Sequence, residues 1–127
     1  MTETKTILLV EDDTSLRNVL FDKLTSEGFK VIEAQDGKIG LELAIEYHPD
    51  IILLDIFMPR MDGINMLTQL RQTDPWGKKA KVIVLSNSTD AETIARSTGL
   101  GASDFLIKSE WSLENIVGKI TERLKQY

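Results

Sequence analysis

An α/β fold, with a doubly wound five-stranded parallel sheet, follows from three features of this sequence. Five short apolar runs alternate with amphipathic segments along the 127 residues. Three of the runs carry no period-two alternation, the pattern of strands covered on both faces. Right-handed crossovers between parallel strands then lay helices on both sides of the sheet.

The first run is Ile7–Val10, and the segment after it places Leu16, Val19, Leu20 and Leu24 at helical spacing. Gly28 supplies a C-terminal stop for that helix. The second run, Val31–Ala34, leads to a helix with Leu41, Ala44 and Ile45 on one face, ended by Pro49 in "YHPD". The third, Ile51–Leu54, is followed by Ile64, Leu67 and Leu70 on a helix, then by the loop "TDPWGKKA". After Val82–Leu85, a short helix is expected to open at Thr89, paired with Glu92 in a capping box, and to stop at Gly99. Phe105–Ile107 is the last run. The final helix begins at Ser112, with Trp111 and Ile116 as a hydrophobic staple, and runs through Ile120 towards Leu124.

Length and composition narrow the function classes. A chain of this length makes one domain, residues 1–127, with enough core to need no staples. There is no cysteine, which excludes disulfides, thiolate metal sites and cysteine nucleophiles and fits a cytoplasmic setting. The opening "MTETKT" lacks the pattern of a signal peptide. No apolar stretch approaches the ~20 residues of a membrane helix, so no membrane association is expected. A net charge of −5 argues against direct nucleic-acid binding.

The chemistry gathers at the strand ends, where doubly wound sheets place their ligand crevice. The first strand ends in Glu11, Asp12 and Asp13, the third in Asp55, the fourth in Ser86 and the fifth in Lys108. Singly, these are a helix start, a turn acid, a loop hydroxyl and a surface lysine. Together they place carboxylates, a hydroxyl and an ammonium around one crevice. Packed carboxylates raise one another's pKa unless a cation lies among them. A donor set of oxygens with no histidine or cysteine suits a hard ion, and Mg2+ is the usual one where phosphate is handled. An aspartate beside it can act as a nucleophile towards phosphorus. Lys108 and Ser86 then supply the cation and the donor that a transferring phosphoryl group requires. His48, the sole histidine, precedes Pro49 and reads as a helix-end residue away from this crevice.

With these residues in place, the sequence resembles the receiver domain of two-component response regulators, of the CheY-like superfamily. "ILLVEDDTSLRNVL", "PDIILLDIFMPRMDG", "VIVLSNS" and "GASDFLIKS" resemble the family's signature segments, in order. The resemblance implies a flavodoxin-like (βα)5 fold with strand order 2-1-3-4-5. It implies that Asp55 is the phosphoacceptor, and that Glu11, Asp12, Asp55 and the main-chain carbonyl of Phe57 hold Mg2+. Ser86 and Lys108 would bind the phosphoryl oxygens, with Ser86 and Phe105 as the switch pair. Pro59 and Gly63 would shape the loop over the site. Two positions depart from the family pattern: Ser109 follows Lys108 in place of the usual proline, and Asn87 follows Ser86 in place of a small residue.

The expected function is a signalling switch. A histidine kinase or histidine phosphotransfer protein phosphorylates Asp55, and an unknown downstream protein reads the surface of helix four, strand five and helix five. Such a protein is not an enzyme beyond its own phosphorylation and dephosphorylation. The fifth helix takes up the end of these 127 residues, so no output domain is expected within them. The alternative is a Mg2+-dependent aspartyl-phosphate phosphohydrolase, which resembles the haloacid dehalogenase family and wants a second aspartate where Phe57 stands. A flavodoxin-like FMN carrier would need phosphate donors after the first strand, where "EDD" would repel the ligand.

Overall fold

The computed structural model describes residues 4–73 and 75–125; Asp74, expected in the loop after the third helix, lies outside them, as do the first three residues of the leading "MTETKT". Five strands form one parallel sheet in the order β2-β1-β3-β4-β5. They are β1 (Thr6–Val10), β2 (Lys30–Ala34), β3 (Ile51–Leu54), β4 (Val82–Ser86) and β5 (Asp104–Ile107). The helices are α1 (Thr14–Ser26), α2 (Gly37–Tyr47), α3 (Gly63–Arg71), α4 (Ala91–Gly99) and α5 (Leu113–Leu124). The expected fold class and strand order are both realised.

The sheet divides the core in two, because successive side chains of a strand point to opposite faces. Leu8, Val10, Ile52, Leu54, Val82 and Val84 pack with Ala44 of α2 and with Ile64, Met66, Leu67 and Leu70 of α3. Ile7, Leu9, Ile51, Leu53, Ile83 and Leu85 pack on the other side with Leu20 and Leu24 of α1 and with Ile116, Val117 and Ile120 of α5. This double cover explains why the central runs read as continuous apolar sequence.

Each helix starts on a side-chain cap. Asp13, Asp36, Asp62, Asp90 and Ser112 accept from the amides of Leu16, Ile39, Asn65, Thr93 and Asn115. The cap at Ser112 is the expected one, and Trp111 packs into the same core cluster as Ile116. At α4 the expectation is off by one residue: Asp90, not Thr89, is the cap, and no Thr89–Glu92 box forms the helix start. A carboxylate is the better acceptor for orphan helix amides, and it takes both the Thr93 amide and the Thr93 hydroxyl.

Two further expectations are corrected. Ile45 is 43% exposed, so the buried stripe of α2 is Gly37, Gly40 and Ala44. Small residues let this helix approach the sheet closely; a Cβ on Gly40 would stand 3.0 Å from Val10. Val19 is 46% exposed, because the inward face of α1 is the Leu20–Leu24 row. His48 does end α2, in the left-handed region at φ 46°, and its ring stacks on Trp76 at 4.4 Å.

At the end of the molecule opposite the strand carboxyl termini, Arg71 clamps two loops. Its guanidinium donates to the carbonyls of Gly77, Ala80, Leu100 and Gly101.

Candidate functional site at the carboxyl edge of the sheet

The parallel register brings the ends of β1, β3, β4 and β5 to one edge. Val10 pairs with Leu54, Leu54 with Val84 and Val84 with Phe105, so Glu11 and Asp55 stand at one level, with Ser86 one residue and Lys108 two residues further along the same edge. The strand backbone carries on into the site: the Asp55 amide donates to Val10 O and the Glu11 amide to Ala34 O.

Asp55 is 5% exposed and Glu11 2% exposed, while Asp12 points to solvent. The Ile56 amide donates to Asp55 Oδ1 at 2.8 Å, and the Asp13 amide to Glu11 Oε2 at 3.1 Å. Lys108 Nζ lies 2.8 Å from Glu11 Oε1 and 3.3 Å from Asp55 Oδ2. Burial pushes the Glu11 carboxyl up to about 7, with the Asp55 charge adding to the rise and the Lys108 hydrogen bond opposing it. Burial likewise raises Asp55, against the charge of Lys108. Lys108 loses some of its charged form's advantage to burial, but its bond to Glu11 and the charges of both carboxylates raise it overall. One ammonium thus holds two buried acids in place.

One oxygen each from Glu11, Asp12 and Asp55 lies within 4.8 Å of the others. That all-oxygen set fits a hard divalent cation by both donor chemistry and spacing. Asp13, the third acid of "EDD", does not belong to this set. It caps α1, the ordinary role of an acid at a helix start.

The loop between β3 and α3 is fastened over the site. The Gly63 amide donates to Ile56 O at 2.7 Å, and the Gly37 amide to Met61 O at 3.0 Å. Arg60, at φ 68°, pairs with buried Asp36 at 3.3 Å. A Cβ on Gly63 would fall 2.2 Å from the Asp55 carbonyl oxygen, which explains a glycine there. Asp36, Gly37 and Arg60 were not singled out from the sequence. The "DG" at the start of α2 is the one local signal that marks them.

Ser86 is fully buried, and its Oγ accepts the Ser88 amide at 3.3 Å. Phe105 is half-buried against the α2–α3 side of the core. Phe57 is 62% exposed. After Lys108 the chain turns as a short 3-10 helix, Lys108–Glu110, that the sequence pattern did not announce.

Residues 7–121 match the family model of the response regulator receiver domain. The chain belongs to that family. That family is the receiver domain of the response regulators of two-component signalling. The chain is 39% identical over 103 residues to a probable chemotaxis protein CheY of Rhizobium etli, covering 80% of this chain and 79% of that protein. It is 34% identical over 108 residues to the regulatory protein AtoC of Escherichia coli, covering 85% of this chain. The chain spans 23% of AtoC, and 50% of the response regulator MprA of Mycolicibacterium vanbaalenii. The structure of a CheX–CheY–BeF3–Mg2+ complex from Borrelia burgdorferi superposes with a TM-score of 0.85 at 28% identity, over 96% of this chain and 90% of that one. Among the described residues, no helix is long and apolar enough to cross a membrane.

Proposed function

We propose that residues 1–127 act as one receiver unit in which Asp55 accepts a phosphoryl group from a histidine kinase or a histidine phosphotransfer protein. The observation that carries this reading is the placement of Asp55: a buried carboxylate at the end of a central strand, faced by an ammonium at 3.3 Å. A carboxylate oxygen of Asp55 attacks phosphorus, and the phosphorus–nitrogen bond of the donor breaks. Its electron pair stays on the imidazole, which takes up a proton, and an acyl phosphate remains. Lys108 meets the charge of the transferred group, and the Ser86 hydroxyl donates to one of its oxygens.

Glu11, Asp12, Asp55 and the main-chain carbonyl of Phe57 would hold Mg2+, which supplies charge neutralisation for the phosphoryl group when bound. The likeness to a CheY bound to BeF3 and Mg2+ supports this assignment. Exposed Phe57, two residues after Asp55, offers no acid for turnover of external substrates, which argues against the phosphohydrolase alternative. The partner that reads the switch is a downstream protein docking on α4, β5 and α5, and the setting is cytoplasmic.

Intact-mass measurement after incubation with a small phosphodonor and Mg2+ tests the reading. The wild type should gain one phosphoryl group, labile to base, and Asp55→Asn none. An equal gain in Asp55→Asn overturns the assignment.

A further inference from the structure

The two departures from the family pattern meet in space. Asn87 directly follows Ser86, and Ser109 directly follows Lys108. The Ser109 amide donates to Asn87 Oδ1 at 3.2 Å. The bond requires both departures, since proline at 109 would have no N–H to give and a small apolar side chain at 87 would have no acceptor.

Its position gives it mechanical consequence. On one side, buried Ser86 is separated from the α4 cap Asp90 by residues 87–89 alone. On the other, Lys108 is held by Glu11 and Asp55, and residues 109–111 separate it from the α5 cap Ser112. Both loops are short and anchored at both ends, so few dihedrals are available to absorb a shift at residue 87 or 109. The Ser86 Oγ accepts the Ser88 amide, so turning Ser86 towards Asp55 disturbs this loop.

We propose that Asn87 and Ser109 are a positioning pair that makes the loop after β4 and the loop after β5 move together. The rearrangement of Ser86 on occupation of Asp55 is thereby carried directly into the 3-10 turn and the start of α5. This inference rests on the reading of Asp55 as acceptor. The bond joins exposed, uncharged groups, so its loss leaves the fold intact while uncoupling the loops.

Two-dimensional amide NMR of the full chain, titrated with beryllofluoride and Mg2+, tests the pair. In the wild type, ligand-induced shifts should appear at residues 55–57 and at residues 109–113. Asn87→Ala should keep the ligand affinity and the shifts at 55–57 and lose most of those at 109–113. Ser109→Pro should show the same loss, and the double variant no further one. Asn87→Asp, which keeps the acceptor oxygen, should restore the shifts. Full shifts at 109–113 in Asn87→Ala or Ser109→Pro overturn the positioning pair alone. A wild type without shifts at 55–57, or an Asp55→Asn variant that shows the full shifts expected of the wild type, overturns the acceptor reading and the pair together.

Discussion

Lys108 reaches Glu11 more closely than it reaches Asp55, at 2.8 Å against 3.3 Å. Its ammonium therefore serves first as the counter-ion of Glu11, and only second as that of Asp55. A divalent cation held by Glu11, Asp12 and Asp55, as proposed above, would compete with that charge. Unit charges ~4 Å apart near a protein surface interact by ~4 kcal/mol, and part of this is screened. Lys108→Ala should therefore bind Mg2+ roughly tenfold more tightly, equivalent to ~1.4 kcal/mol. Calorimetric titration with Mg2+ checks this, and equal or weaker binding by the variant would contradict it. Without metal the same variant should be less stable, because two buried carboxylates lose their partner.

Gly63 and Gly118 make an opposed pair of tests. A Cβ at Gly63 would collide with the Asp55 carbonyl at 2.2 Å and with the Ile56 Cα at 2.8 Å. Gly63→Ala should cost ~1–3 kcal/mol as an overpacked substitution, and it should slow phosphorylation because the displaced backbone belongs to Asp55 itself. Gly118 lies exposed within α5, with nothing near its missing Cβ. Gly118→Ala should stabilise by ~0.5–1 kcal/mol through helix propensity and reduced chain entropy, and leave phosphorylation unchanged. Denaturant unfolding of both variants gives the comparison. A stable, fully active Gly63→Ala would show that the loop backbone relaxes freely.

The sheet and the strand-end residues were legible because a doubly covered strand is a continuous apolar run, and its end is marked by the first polar residue. Asp55 after "IILL" and Ser86 after "VIVL" are both found this way. Contacts made across the chain left no such mark. The Asp36–Arg60 pair and the Asn87–Ser109 bond join residues whose neighbours in sequence say nothing about one another. Asp13 was hard to separate from Glu11 and Asp12, since a helix cap and a metal ligand draw on the same residue types. Ile45 was misplaced because its spacing fits a buried face, whereas the close approach of α2 is made by Gly40 and Ala44. Apolar periodicity does not register a contact made by glycine.

Acid should loosen α4 at its start. Hydrogen bonds from the Thr93 hydroxyl and amide hold the Asp90 carboxyl below its ordinary value. A carboxylate depressed in the folded state binds fewer protons there than in the unfolded chain. Its contribution is fully present above the unfolded pKa, about 3.9, and is lost as pH falls through the lower folded value. Protection of the Thr93 and Ile94 amides, measured against their intrinsic exchange rate at each pH, should therefore fall below pH ~4. In Asp90→Asn, which keeps an uncharged acceptor, that acid-dependent step should vanish. A step of equal size in the variant would assign the titration to another group.

The proposed switch depends on how Ser86 answers the charge at Asp55. A phosphoryl group adds negative charge and acceptor oxygens beside a hydroxyl that is fully buried in the resting protein. Hydrogen bonds to charged groups contribute ~1.5–3 kcal/mol each, and inverting a 1:99 population takes about 5.5 kcal/mol of differential binding. Ser86 and Lys108 together reach that order only if both contacts are largely new. For Lys108 part of the energy is already spent on Glu11 and Asp55 in the resting state. The hydroxyl of Ser86 therefore carries the larger differential share, and the two contacts together shift the population by less than a full inversion. Movement of Ser86 towards Asp55 frees space beside β5, where half-buried Phe105 stands in register with Val84. Inward rotation of that ring would remodel the face made by α4, β5 and α5. Ser86→Ala should thus still accept a phosphoryl group at Asp55, with Mg2+ dependence intact, but transmit it poorly. Amide shifts over residues 89–98 and 104–120, recorded with and without a bound phosphoryl mimic, measure the transmission. Shifts in Ser86→Ala as large as in the wild type would break the link through Ser86 while leaving the acceptor at Asp55 standing.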